Sequence, residues 1–157
     1  SAFDAAIKKI PPKEWELGGQ PASKIMPLAR LVLTGEIQFK AGNQEKGLKL
    51  LAQAVEMEET LKYSEPIPWM MPARHAYGAL LIVNKQYKEA EKIYLRDLEF
   101  FPANGWALLG LRDSLRAQGR SEEAIRVDES FRIAWKSADV MPPASCYCGS
   151  SVAQVKK

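Results

Sequence analysis

The stretch Trp69 to Pro102, WMMPARHAYGALLIVNKQYKEAEKIYLRDLEFFP, decides the fold. Tyr77, Leu80 and Leu81 recur at helical spacing before Asn84-Lys85-Gln86. Ala90, Ile93, Tyr94 and Leu98 recur at the same spacing after it. This is the pattern of two amphipathic helices joined by a tight turn at 84–86. Pro72 stands where a first-turn proline is tolerated, and Pro102 stops the second helix. A copy follows downstream. Ala73 and Ala107, Leu81 and Leu115, Lys85 and Gly119, and Ala90 and Ala124 are each 34 residues apart. A constant offset between helix pairs marks an internal repeat.

A third copy lies upstream. Leu28, Leu31, Val32, Gly35 and Phe39 make one stripe, and Leu48, Leu51, Ala52 and Val55 make the next. Gly42-Asn43 is the turn between them. The step from turn to small residue is five in each copy: Gly42 to Gly47, Lys85 to Ala90, Gly119 to Ala124. The first copy precedes the second by more than one period. The excess lies in KYSEPIPWM, where two prolines favour an extended loop.

A period of 34 residues is that of the tetratricopeptide repeat, and the chain resembles that family over residues 25–138. Gly78, Ala90, Tyr94 and Pro102 in the second copy, and Leu111, Gly119 and Ala124 in the third, carry the resemblance. The segments WMMPARHA (69–76) and SCYC (145–148) make it also similar to the C-terminal part of a group of bacterial repeat proteins. That likeness implies a fold and no reaction. The expected architecture is all-α, a right-handed helical solenoid of three helix pairs. Its parts are an N-terminal capping segment (1–24), repeats at 25–61, 71–102 and 103–138, an inserted loop (62–70) and an irregular tail (139–157). In the cap, Phe3 to Ile10 is a short amphipathic piece and Pro11-Pro12 breaks it. Trp15 to Gly19 reads as a loop with one anchoring aromatic, and no strands are expected. Ser121 is the expected N-cap of the last helix, with Glu122 and Glu123 in its first turn. Arg112 and Asp128 occupy positions that ordinarily pack small or aromatic side chains, and a pair between them is expected.

Composition bounds the function. The chain has 157 residues, 46% hydrophobic and 26% charged, ordinary for one globular domain. A net charge of +3 without a long basic run does not suggest nucleic acid. There is no run of apolar residues long enough for a membrane span, and the N-terminus lacks signal-peptide design. It also lacks a starting Met, which suggests a processed chain or a piece of a longer one. Two cysteines are not a disulfide framework, so a cytoplasmic setting is the default.

In the family the first helix of each pair lines a concave groove. The resemblance therefore places Val32, His75 and Leu109 at one groove position, Ala29, Pro72 and Trp106 at a second, and Glu36, Ala79 and Asp113 at a third. Phe39, Lys40 and Arg116 lie along the same side. This implies a non-catalytic scaffold that binds a protein or peptide partner, or another domain of a longer parent chain. The family's Lys/Asn set for gripping a C-terminal carboxylate is absent. The bland alternative is that Trp106 and His75 simply pack under a neighbouring loop. No nucleophile–base pair, phosphate loop or carboxylate pair points to an enzyme. Cys146 and Cys148 are the second candidate: as thiolates, with His75, they suit Cu or Zn. That requires the tail to turn back at Met141-Pro142-Pro143, which would bring Tyr147 near Trp106. The alternatives for the pair are free thiols or a redox-labile couple.

Overall fold

A computed structural model describes residues 2–11, 15–17, 19–65 and 67–148. Pro12, Gly18, Pro66 and the basic end of the tail (149–157) lie outside them. The described residues form seven helices: α1 (Ala2–Ile7), α2 (Ala22–Lys40), α3 (Gln44–Glu59), α4 (Ala73–Val83), α5 (Tyr87–Phe100), α6 (Gly105–Ala117) and α7 (Ser121–Ala134). The fold is all-α apart from one two-residue antiparallel ladder. In it β1 (Glu16–Leu17) pairs with β2 (Gln20–Pro21), Glu16 opposite Pro21 and Leu17 opposite Gln20. The chain divides into two compact units, the first ending at Ala73 and the second starting at Arg74.

The turns α2–α3, α4–α5 and α6–α7 share one geometry. Asn43, Gln86 and Arg120 each donate their N–H to the carbonyl five residues back, at Gln38, Leu81 and Leu115. Gly42, Lys85 and Gly119 donate to the carbonyl three back. This pair of bonds ends a helix with its next residue in the left-handed region. The φ values are +91° at Gly42, +61° at Lys85 and +76° at Gly119. The small residue five positions on is buried each time: Gly47, Ala90 and Ala124. Ser121 is therefore not an N-cap. Arg120 holds that place without a side-chain capping bond, because a guanidinium only donates and cannot accept the N–H groups of the first turn. Its guanidinium goes instead to Glu123 and Glu91, both at 2.6 Å.

In the first unit α2 packs on α3 around Ile25, Leu28, Phe39, Leu48, Leu51 and Ala54, all buried. Gly35 and Gly47 allow the close approach: a Cβ on Gly47 would lie 2.7 Å from both the Gly35 carbonyl oxygen and the Phe39 nitrogen. α2 starts earlier than expected, at Ala22, so Pro27 falls inside it. Two expectations for the cap are corrected. Residues 16–17 and 20–21 form a ladder, with Gly19 at φ +68°, in place of the expected loop. Trp15 is 59% exposed and anchors nothing by burial. The buried Gln20 does the anchoring, donating from Nε2 to the Lys62 carbonyl at 3.2 Å. α1 buries no residue, and Asp4 meets Arg30 of α2 in a surface ion pair.

In the second unit α5 packs on α6 and α6 on α7. Tyr94 of α5 is fully buried and lies against two glycines. A Cβ on Gly78 of α4 would come within 2.5 Å of its Cζ, and a Cβ on Gly110 of α6 would clash with the same ring. Leu108, Leu109 and Phe131 form a cluster, with Leu98, Val127 and Trp135 packed around it.

Candidate functional site

The expected groove residues divide between the two units. In the first, Phe39 is core, corrected from a groove position. Val32 and Glu36 are half-buried and Lys40 is exposed. Burial pushes the Glu36 carboxyl above its usual pKa, against the opposing charge of Lys40.

In the second unit Leu109 is 2% exposed and belongs to the core cluster with Phe131, so it offers a partner no surface. His75 is also interior. Its Nε2 lies 3.3 Å from Asp97 Oδ2, and Arg74 donates from Nε to Asp97 Oδ1 at 3.1 Å. Asn104 donates to Asp97 Oδ2 at 2.7 Å, and its amide nitrogen lies 3.0 Å from the imidazole. Asn104 Oδ1 accepts the Trp106 N–H and so caps α6. Arg74 also stacks over Phe100. Asp97 is fully buried. Burial opposes its ionisation, but the hydrogen bond and charge of His75, then those of Arg74, outweigh it and hold the carboxyl below its usual range. The cluster ties α4 to α5 and the start of α6.

Asp113 and Arg116 sit in a second ionic group. Arg112 contacts Asp113 at 2.8 Å and Asp128 at 2.9 Å, Arg132 reaches Asp128 at 2.9 Å, and Arg116 lies 3.6 Å from it. The expected pair of Arg112 with Asp128 is therefore present. The Arg112 hydrogen bond is the first cause holding Asp128 below its usual pKa, working against desolvation.

The tail turns back onto α4, α5 and α6. Ser145 is buried and hydrogen-bonds the hydroxyl of Tyr94. Cys148 Sγ lies 3.9 Å from the carbonyl oxygen of Ala76. The ring of Tyr147 packs against Trp106, centroids 5.4 Å apart, as expected for a tail that folds back. The aromatic run continues from Trp106 edge-on to Trp135 and from Trp135 stacked on Phe131. Trp135 donates from Nε1 to the Val140 carbonyl at 2.7 Å, which pins the start of the tail. Burial pushes the Tyr94 hydroxyl to a higher pKa, with Ser145 opposing, so it stays protonated.

Cys146 and Cys148 are bonded to each other, 8% and 6% exposed. Neither sulfur is a thiolate in this state, and the Nε2 of His75 faces Asp97 and Asn104. Among the described residues no three His, Cys, Asp or Glu side chains gather to hold a metal ion. The expected Cu or Zn site of Cys146, Cys148 and His75 would need the reduced chain.

Sequence reasoning missed Asp97, Asn104, Tyr94 and Ser145 as partners. A signal for Asp97 exists: it falls three after Tyr94 and seven after Ala90, on the buried stripe, where a charge must be paired. Among the described residues no helix is long and apolar enough to cross a membrane. Comparison with known protein families, characterised proteins and solved structures finds no match to the chain.

Proposed function

We propose that the chain is a non-catalytic protein-interaction scaffold built as a right-handed solenoid of three tetratricopeptide-like helix pairs. It takes a short peptide segment of a partner on the face made by Ala76 of α4, Tyr94 of α5 and Trp106 of α6. The repeat reading draws support from the three left-handed turns at Gly42, Lys85 and Gly119, each followed five residues on by a buried small residue. The observation that carries the binding reading is the tail itself. Ser145 to Cys148 rests on that face with Ser145 hydrogen-bonded to Tyr94, the Tyr147 ring on Trp106 and Cys148 beside the Ala76 carbonyl, which supports a face that accepts a peptide. In this reading Trp106, expected at a groove position, is the aromatic anchor of the face, and His75 and Leu109 support it from within.

Panning a displayed peptide library on the full chain, in oxidising and in reducing buffer, tests the reading. Peptides enriched on wild type and lost on a folded Trp106→Ala variant support it. Equal enrichment on both proteins, or enrichment in neither buffer, overturns it.

A further inference from the structure

The segment on that face is held in a small covalent ring. Cys146 and Cys148 flank one residue, so the bond closes a ring of three residues. Such a ring removes little freedom from an unfolded chain and does little to staple a fold. Its effect is local. It fixes the turn so that Ser145 meets Tyr94, Tyr147 meets Trp106 and Cys148 meets Ala76 at the same time. Both sulfurs are buried as an apolar disulfide, while Tyr147 between them is 72% exposed and its ring packs on Trp106.

From this geometry we infer that Ser145–Cys148 is a self-ligand of the peptide-binding face and that its disulfide is a redox latch. This deepens the scaffold reading and rests on it. A dithiol reductant opens the latch: the Sγ–Sγ bond breaks, two electrons and two protons pass from the dithiol, and the dithiol becomes a disulfide. Cys146 and Cys148 are left as thiols. The opened turn regains its conformations, so docking all three contacts then costs ordering entropy that the ring had removed beforehand. Two thiols also replace one apolar disulfide against the wall of the face. The loop leaves, and the Tyr94 hydroxyl and the Trp106 ring become available. The segment that replaces the loop shares its chemistry: a buried small hydroxyl residue with an aromatic two positions later, as Ser145 stands to Tyr147. In a reducing compartment such bonds are transient, and in an oxidising one they persist, so the face is open in the first and closed in the second.

The test is the alkylation rate of the two thiols in the full chain reduced with dithiothreitol, followed with iodoacetamide. A reduced synthetic peptide of residues 142–148 is the reference. A released loop reacts within roughly threefold of the peptide, whereas a loop still docked with buried sulfurs reacts at least about tenfold more slowly. Far-ultraviolet circular dichroism of the oxidised and reduced chains accompanies it. Fast alkylation with unchanged helicity supports the latch. Slow alkylation overturns it, and so does loss of helix on reduction, which would make the bond a staple of the fold. The two readings separate cleanly. Fast alkylation with no peptide enriched in either buffer leaves only the redox release of the loop and removes the scaffold, and with it the self-ligand reading, whereas slow alkylation with peptides enriched removes the latch and keeps the scaffold.

Discussion

The hydroxyl of Tyr94 and the hydroxyl of Ser145 are hydrogen-bonded to each other inside the second unit, 51 residues apart in the chain. Both side chains are buried, so neither has water as an alternative partner. The bond joins the tail to the middle of α5. Tyr94→Phe leaves the Ser145 hydroxyl buried without Tyr94 as partner. The expected cost is about 1–2 kcal/mol of stability, read from urea unfolding of the oxidised chain. A variant as stable as wild type would show that the tail does not depend on this bond.

The ring of Tyr94 fills the space that glycine leaves on two neighbouring helices. Gly78→Leu and Gly110→Ala should each destabilise by about 1–3 kcal/mol, because added carbon meets a ring with no room to move. The melting temperature should fall in both. An unchanged value in either would mean that the register of α5 against that helix is different.

Asp97 is the charge on which Arg74, His75 and Asn104 converge. Its carboxyl is held below the usual range when folded. A depressed folded pKa contributes stability that is present above the unfolded value, about 4, and lost as pH falls through the folded value. Stability measured by urea unfolding should thus decline as pH drops below about 4, and Asp97→Asn should flatten that part of the profile. At neutral pH Asp97→Ala should cost about 3–5 kcal/mol, since it takes a buried carboxylate away from the buried Arg74 guanidinium and from His75 and Asn104. Equal acid sensitivity in wild type and Asp97→Asn would remove Asp97 as the source.

Lys85 adopts a left-handed conformation, φ +61°, where the matching turns at Gly42 and Gly119 use glycine. A side chain is disfavoured there, and glycine is not. Lys85→Gly should therefore stabilise the chain by about 0.5–1 kcal/mol, visible as a raised denaturation midpoint with unchanged slope. A lowered midpoint would show that the Lys85 side chain contributes more than its backbone costs.

The sequence by itself determined the helices and their turns. Apolar residues at helical spacing must share a face, so Leu28 to Phe39, Leu48 to Val55, and Tyr77 to Leu81 could be assigned to buried stripes from local pattern alone. The turns at 42–43, 84–86 and 119–120 were legible because the shift from one stripe to the next needs a left-handed residue there, and glycine marks two of the three. Arg112 with Asp128 was legible too, since two opposite charges on packing positions have few ways to be satisfied. The two-residue ladder was not, because so short a strand has no periodicity to read. Nor was the interior place of His75 and Leu109. Repeat register puts a residue on a helix face, but what covers that face depends on segments distant in the chain. Only the tertiary structure brought Ser145 to Tyr94, Tyr147 to Trp106 and Asp97 to His75. Those contacts arise where the Tyr94 ring fills the space left at Gly78 and Gly110 and the tail turns back, and no local spacing encodes the distance between parts of the chain that meet only when folded.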